Sequence, residues 1–236
     1  MRFREQQQRR RQLQALNQPE AATAAAASPD SLHIQLIALE QDVERLRALQ
    51  RKRDRIEMKR DVLLPKWQPI AQRYLDGGKV FQNPVFSYCV VWLFDTDELG
   101  KALEWADIAI VQGQKTPDNI KRDFAHFVAD QVLEWAQTVA PQGQSVEPYF
   151  TDTFTRVKEQ WRLNEELTAK YYKFAGLLKL RDNQGKPVVT TINDPVVLRE
   201  ADSLLEQADS FYSGVGVGTM RKQLAARLRK LEAPPA

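Results

Sequence analysis

Asp95, Asp97 and Glu98 set three carboxylates within four residues. Hard oxygen ligands at that spacing suit Mg2+ of the kind that activates water for phosphodiester cleavage. The same acids stand just before an apolar helical pattern that opens at Leu99, where aspartates cap free backbone amides and acids favour the helix dipole. Metal binding and capping are both open readings, and capping explains the position without a ligand.

A second chemistry is cationic. Arg45, Arg47, Arg51, Lys52, Arg53, Arg55, Lys59 and Arg60 are opposed between positions 45 and 60 only by Asp54 and Glu57. Such a run can neutralise phosphates but carries no base readout by itself. Arg221, Lys222, Arg227, Arg229 and Lys230 form a rival group, as do Arg9, Arg10 and Arg11. Basic runs on helices are more often solvated faces, which is the reading the residues alone favour for the first two groups.

Other chemistries lack their residues. His33 and His126 are the two histidines, and neither has a Cys, His or carboxylate partner at ligand spacing, which argues against zinc and against a Ser or Cys triad. Cys89 sits in the apolar run from Val85 to Val91 and reads as a core residue. No glycine loop is followed by Lys and Ser or Thr, and the Gly214, Gly216, Gly218 run reads as a helix-helix joint rather than a phosphate cradle. The expectation is no cofactor, with Mg2+ as the alternative. Trp67, Trp92, Trp105, Trp135 and Trp161 read as core or interface anchors.

The elements that would position these groups are helical throughout. Residues 1–31, rich in Gln, Arg and Ala, read as a flexible arm. Leu32, Leu36, Leu39, Val43 and Leu46 then follow the 4 and 3 spacing of a heptad seam, which predicts one long, basic helix over 32–62. That seam is either an oligomerisation surface or the core face of a helix packed on its own domain. A central helical core domain follows over 63–140. Pro65 and Pro69 frame a short helix stopped by Gly77 and Gly78, Pro84 opens a buried helix to Phe94, and Leu99 to Gln112 forms another before Gly113. Thr116 before Pro117 predicts an N-cap for a helix whose face holds Ile120, Phe124, Phe127, Val128, Val132, Trp135 and Val139. A linker loop over 141–152 leads to a C-terminal helical-hairpin domain over 153–232, with Asp194 and Pro195 opening one of its helices. The fold class is all-α: a long N-terminal helix able to form a coiled coil, then an antiparallel helical bundle or helical-hairpin array.

With 236 residues and 43% hydrophobic content the chain can build a real core, and a net charge of +3 makes charge placement more telling than charge total. No stretch approaches the roughly 20 apolar residues of a membrane span, and the arginine-rich start lacks a signal peptide's apolar core, so a cytoplasmic protein with no membrane partner is expected.

Leu63-Leu64-Pro65-x-Trp67, Trp92-Leu93-Phe94-Asp95-Thr96, Ala102-Leu103-Glu104-x-Ala106 and the Thr116-Pro117 step, taken together, resemble the small terminase subunit of phages that package DNA by cohesive ends. That family is also labelled terminase endonuclease subunit. The likeness extends loosely through Gly176-Leu177 and Leu180-Arg181-Asp182, covering about residues 60–232. The family pattern often carries glycine where this chain has Asp97, a residue that tolerates left-handed backbone angles. The resemblance implies an oligomeric, DNA-binding subunit that recognises the packaging site on viral double-stranded DNA. It further implies a large ATPase and nuclease subunit as the partner to be regulated, in the cytoplasm of the bacterial host. Endonuclease activity through Asp95, Asp97 and Glu98, and a structural adaptor role without DNA contact, are the alternatives.

Overall fold

The computed structural model describes residues 31–182 and 184–233. The expected arm lies outside the described residues apart from Ser31. Every regular element among the described residues is helical, with one isolated bridge between Arg181 and Pro187. No described helix is long and apolar enough to cross a membrane. The chain divides between Asp97 and Glu98 into two compact units.

The first unit holds α1 (Leu32–Ala48), α2 (Lys52–Met58), a π-helical turn (Lys59–Leu63), α3 (Leu64–Asp76) and α4 (Pro84–Asp95). The long helix predicted over 32–62 is broken, because Leu49 (ψ 123°) and Arg51 (ψ 133°) are extended. Leu, Gln and Arg are good helix formers, so the break comes from tertiary packing and not from local propensity. Asp42 on α1 accepts hydrogen bonds from Lys66 Nζ (2.6 Å) and Trp67 Nε1 (2.9 Å) on α3. Along a straight helix residues 42 and 67 would lie about 37 Å apart, so the chain must fold back to bring them together.

Leu39, Val43 and Leu46 are buried within this unit, Leu32 and Leu36 are half-buried, and Ile34 and Ile37 are exposed. Part of the heptad face is thus core. From Lys52 to Asp76 the helix is continuous, and Pro65 and Pro69 lie inside it instead of framing a separate segment. Pro65 cannot donate to the carbonyl four residues back, and its ring crowds that carbonyl. The wide turn just before it, where the Leu64 amide donates to the Lys59 carbonyl, gives the chain room. α4 is buried on nearly all sides, Val85, Phe86, Cys89, Val90 and Leu93 completely, with Asn83 Oδ1 capping the Phe86 amide. Its apolar run is a core helix, as expected.

The second unit holds α5 (Leu99–Val111), α6 (Phe124–Val139), α7 (Tyr149–Glu159), α8 (Glu165–Lys179), α9 (Pro195–Phe211) and α10 (Gly218–Glu232). Helix α6 starts seven residues later than Thr116-Pro117 predicts. Thr116 Oγ1 donates to the Ile120 and Arg122 carbonyls, closing a turn instead of capping amides. The cap is Asp123, whose Oδ1 accepts from the His126 amide (2.9 Å) and lies 2.8 Å from His126 Nδ1. His126 therefore has a carboxylate partner that its sequence context concealed. Burial pushes the Asp123 carboxyl up, but the His126 amide, ring and charge outweigh this and hold it below the ordinary range.

The loop expected to separate two domains lies inside this second unit, where Val146 is buried in the core. Tyr171 Oη on α8 donates to the Ala129 carbonyl on α6 (2.8 Å), tying the elements before and after the loop. α8 and α9 form the closest helix pair. A Cβ on Gly176 would lie 2.9 Å from Leu205 Cδ2 and 3.1 Å from the Ala201 carbonyl, so only glycine allows this approach. Asp194 caps α9 as predicted, accepting from the Val196 amide.

Asp42 is 4% exposed, and truncating it leaves the buried Trp67 N–H without its acceptor. Asp42→Ala is expected to destabilise the first unit by about 1–3 kcal/mol, read as a lower urea midpoint, whereas a surface change such as Glu44→Ala leaves the midpoint nearly unchanged.

Candidate nucleic-acid interface

The eight cations between positions 45 and 60 do not behave alike. Arg53 donates to Glu57 (2.7 Å), and this hydrogen bond and charge raise its guanidinium pKa. Arg45 lies 3.5 Å from Asp42, and Arg55 reaches the Leu49 carbonyl across the break between α1 and α2. Lys59 pairs with Asp95 (2.7 Å) and is mostly buried. Arg47, Arg51, Lys52 and Arg60 are exposed and make no ion pair among the described residues. Arg47 ends α1, Arg51 and Lys52 open α2, and Arg60 lies in the π-helical turn. Among the described residues, four of the eight cations are thus engaged by the fold and four are not.

Only part of this division is readable from spacing. Arg53 and Glu57 stand four apart on one helix, and Asp42 and Arg45 three apart, both familiar pairings. Lys59 and Asp95 are 36 residues apart, and nothing local signals their contact.

The rival C-terminal group is more fully committed. Arg221 donates to Asp202 and Glu206, and the Asp202 hydrogen bond raises its pKa. Arg227 donates to the Ile192 carbonyl and to Asn193, and Arg229 to the Ala225 carbonyl. Lys222 and Lys230 remain exposed. Arg9, Arg10 and Arg11 lie outside the described residues.

The acidic triplet is drawn into structure. Asp95 takes Lys59, and Thr96 Oγ1 donates to the Trp92 and Leu93 carbonyls. Asp97 adopts φ 62°, the left-handed region that glycine favours and that Asp tolerates. Asp95 thus serves in an ion pair and Asp97 in the turn, while Glu98 holds the N-cap position of α5 without the side-chain capping bond expected there. Among the described residues no group of three His, Cys, Asp or Glu side chains is gathered to hold a metal ion.

A family model described as phage small terminase subunit matches residues 36–166, a range that contains the whole basic segment. The probable terminase, endonuclease subunit of Haemophilus phage HP1 (strain HP1c1) is 39% identical over 209 residues, which covers 89% of this chain and 74% of that protein. The terminase, endonuclease subunit of Escherichia phage P2 is 29% identical over 147 residues, covering 62% of this chain and 59% of its own length. No solved structure gives a significant match. With more than half its length matched by the family model and most of it aligned to the first of these relatives, the chain belongs to the phage small terminase subunit family.

Proposed function

We propose that this subunit binds phage double-stranded DNA at the packaging site and delivers it to the large ATPase and nuclease subunit, acting as a homo-oligomer in the host cytoplasm. The observation that carries this reading is the set of four exposed cations with no ion pair among the described residues, Arg47, Arg51 and Lys52 at the corner between α1 and α2 and Arg60 in the π-helical turn that follows. A structural cation is usually met by an acid or a carbonyl of its own chain; among the described residues these are not. Their contacts would go to phosphates, which fix position and leave sequence choice to other groups.

Self-association supplies the rest of the charge, because several copies bring several such strips to one duplex. Leu39, Val43 and Leu46 are occupied inside the first unit, so we place the contact on the outer edge of α1, with Ile34 and Ile37 at its centre and Leu32 and Leu36 beside them.

Three measurements test this. A gel shift of the purified subunit on packaging-site DNA, without the large subunit and with and without magnesium, gives binding without cleavage on this reading. Nicking that needs magnesium would instead support the endonuclease role named for the relatives, and neither binding nor nicking the adaptor role. Replacing Arg47, Arg51, Lys52 and Arg60 together by Ala keeps helix propensity and is expected to weaken binding and flatten the slope of log affinity against log salt by about 3–4. Replacing Ile34 and Ile37 by Asp should lower the native mass; an unchanged mass moves the contact elsewhere.

The turn at Asp97 offers a separate check on the acids. Asp97→Asn keeps left-handed tolerance and is expected to leave stability and DNA processing by the complete terminase unchanged, whereas Asp97→Ala costs about 1 kcal/mol in thermal unfolding. Loss of cutting by a folded Asp97→Asn protein would return the triplet to catalysis.

A further inference from the structure

We infer that Lys59 is a cation held in reserve: Asp95 holds it in the free protein, and a DNA phosphate takes it over in the complex, releasing the turn that joins the two compact units. This rests on the DNA-interface reading above.

Three observations lead there. Lys59 directly precedes Arg60 in the same π-helical turn, and Arg60 is exposed with no ion pair among the described residues, so phosphates drawn to Arg60 raise the anion density beside the Lys59–Asp95 pair. Its Nζ lies 2.7 Å from Asp95 Oδ2, with the lysine 14% and the aspartate 33% exposed, so the pair is shielded but open on its acid side. Asp95 ends α4 and opens the segment Asp95–Glu98, where the chain passes from one unit to the next. That segment contains the non-glycine left-handed residue Asp97, a conformation that persists only where its surroundings impose it. Neighbouring restraints are the Thr96 amide on the Trp92 carbonyl (3.0 Å) and the Asp97 amide on the Phe94 carbonyl (3.2 Å).

The exchange swaps one carboxylate for one phosphate on the same ammonium, so no proton need move. Its driving force is the dense phosphate charge of duplex DNA, which a single half-exposed carboxylate does not match. The exchange links occupancy of the basic strip to the freedom of the connecting turn, although neither Lys59 nor Asp95 lies in that turn's central residues, Thr96 and Asp97.

The test uses the full chain and a mixed-sequence DNA duplex, since phosphate contacts do not depend on sequence. Asp95→Asn removes the competitor, so binding tightens severalfold, up to about fivefold, with the salt slope unchanged. Lys59→Met keeps the aliphatic stem and flattens the slope by about 0.9. The double variant behaves as Lys59→Met alone. Hydrogen exchange of the Thr96 and Asp97 amides in the unaltered protein speeds up when DNA is added. Wild-type or weaker affinity in a folded Asp95→Asn protein, an unchanged slope in Lys59→Met, or amides that slow or stay constant on DNA addition would each overturn the proposal. The exchange measurement needs no variant, so a substitution that fails to fold leaves the question decidable. If the four-alanine variant binds as tightly as wild type, the interface reading itself has failed. If that variant weakens binding while Asp95→Asn does not tighten it, only the reserve role of Lys59 has failed.

Discussion

The buried carboxylate of Asp42 is the constraint from which the first unit is built. It accepts from Lys66 Nζ and Trp67 Nε1 together, and Lys66 also lies 4.7 Å from the centre of the Trp67 ring. A charge in that position demands partners, and those partners are 24 and 25 residues further along the chain. The polypeptide has to reverse between them. It does so at Leu49–Arg51, in the middle of its densest run of positive charge, so the reversal forced by one acid places cations on an exposed corner instead of along a straight rod.

Positive charge has two different settings along the chain. In the second, Arg221 clamps α10 to the acids of α9, Arg156 pairs with Asp107, and Lys173 donates to the Val215 carbonyl (2.6 Å). These cations hold helices together. At the α1–α2 corner Arg55 does the same for the Leu49 carbonyl, while Arg47, Arg51 and Lys52 make no ion pair among the described residues. A cation that serves the fold is therefore told from one that does not by its neighbours, even where the residue types are the same.

Much of this architecture is written in local pattern. The all-apolar run from Val85 to Phe94, the Asp194-Pro195 helix start and the glycine stop at Gly113 (φ 63°) each follow from neighbouring residues, and each is found. What local pattern misreads is set by contacts across the chain. Leu49 and Gln50 look helical and are not, because Asp42 needs Trp67. Thr116 looks like a cap and is a turn, because Asp123 sits closer to the first core residue of α6, Phe124, and takes the His126 amide. The loop after α6 looks like a border because of its prolines and glycine, yet Val146 is buried there and Tyr171 bonds across it. The basic segment was legible as a segment, but the sorting of its members into free and committed depends on Asp95 and Leu49, whose positions only the fold supplies.

The π-helical turn at Lys59–Leu63 carries a consequence for how such chains can diverge. Each residue of an α-helix advances it by about 100°, and a π-helical turn is an α-helix that has absorbed one residue too many. Deleting one residue there would restore regular winding and leave the helix on either side close to its present register, because the widened turn already takes up the surplus residue. The turn is therefore a buffer of chain length, at which a related subunit could lose a codon while Asp42 keeps its hold on Trp67 and the charged corner keeps its heading.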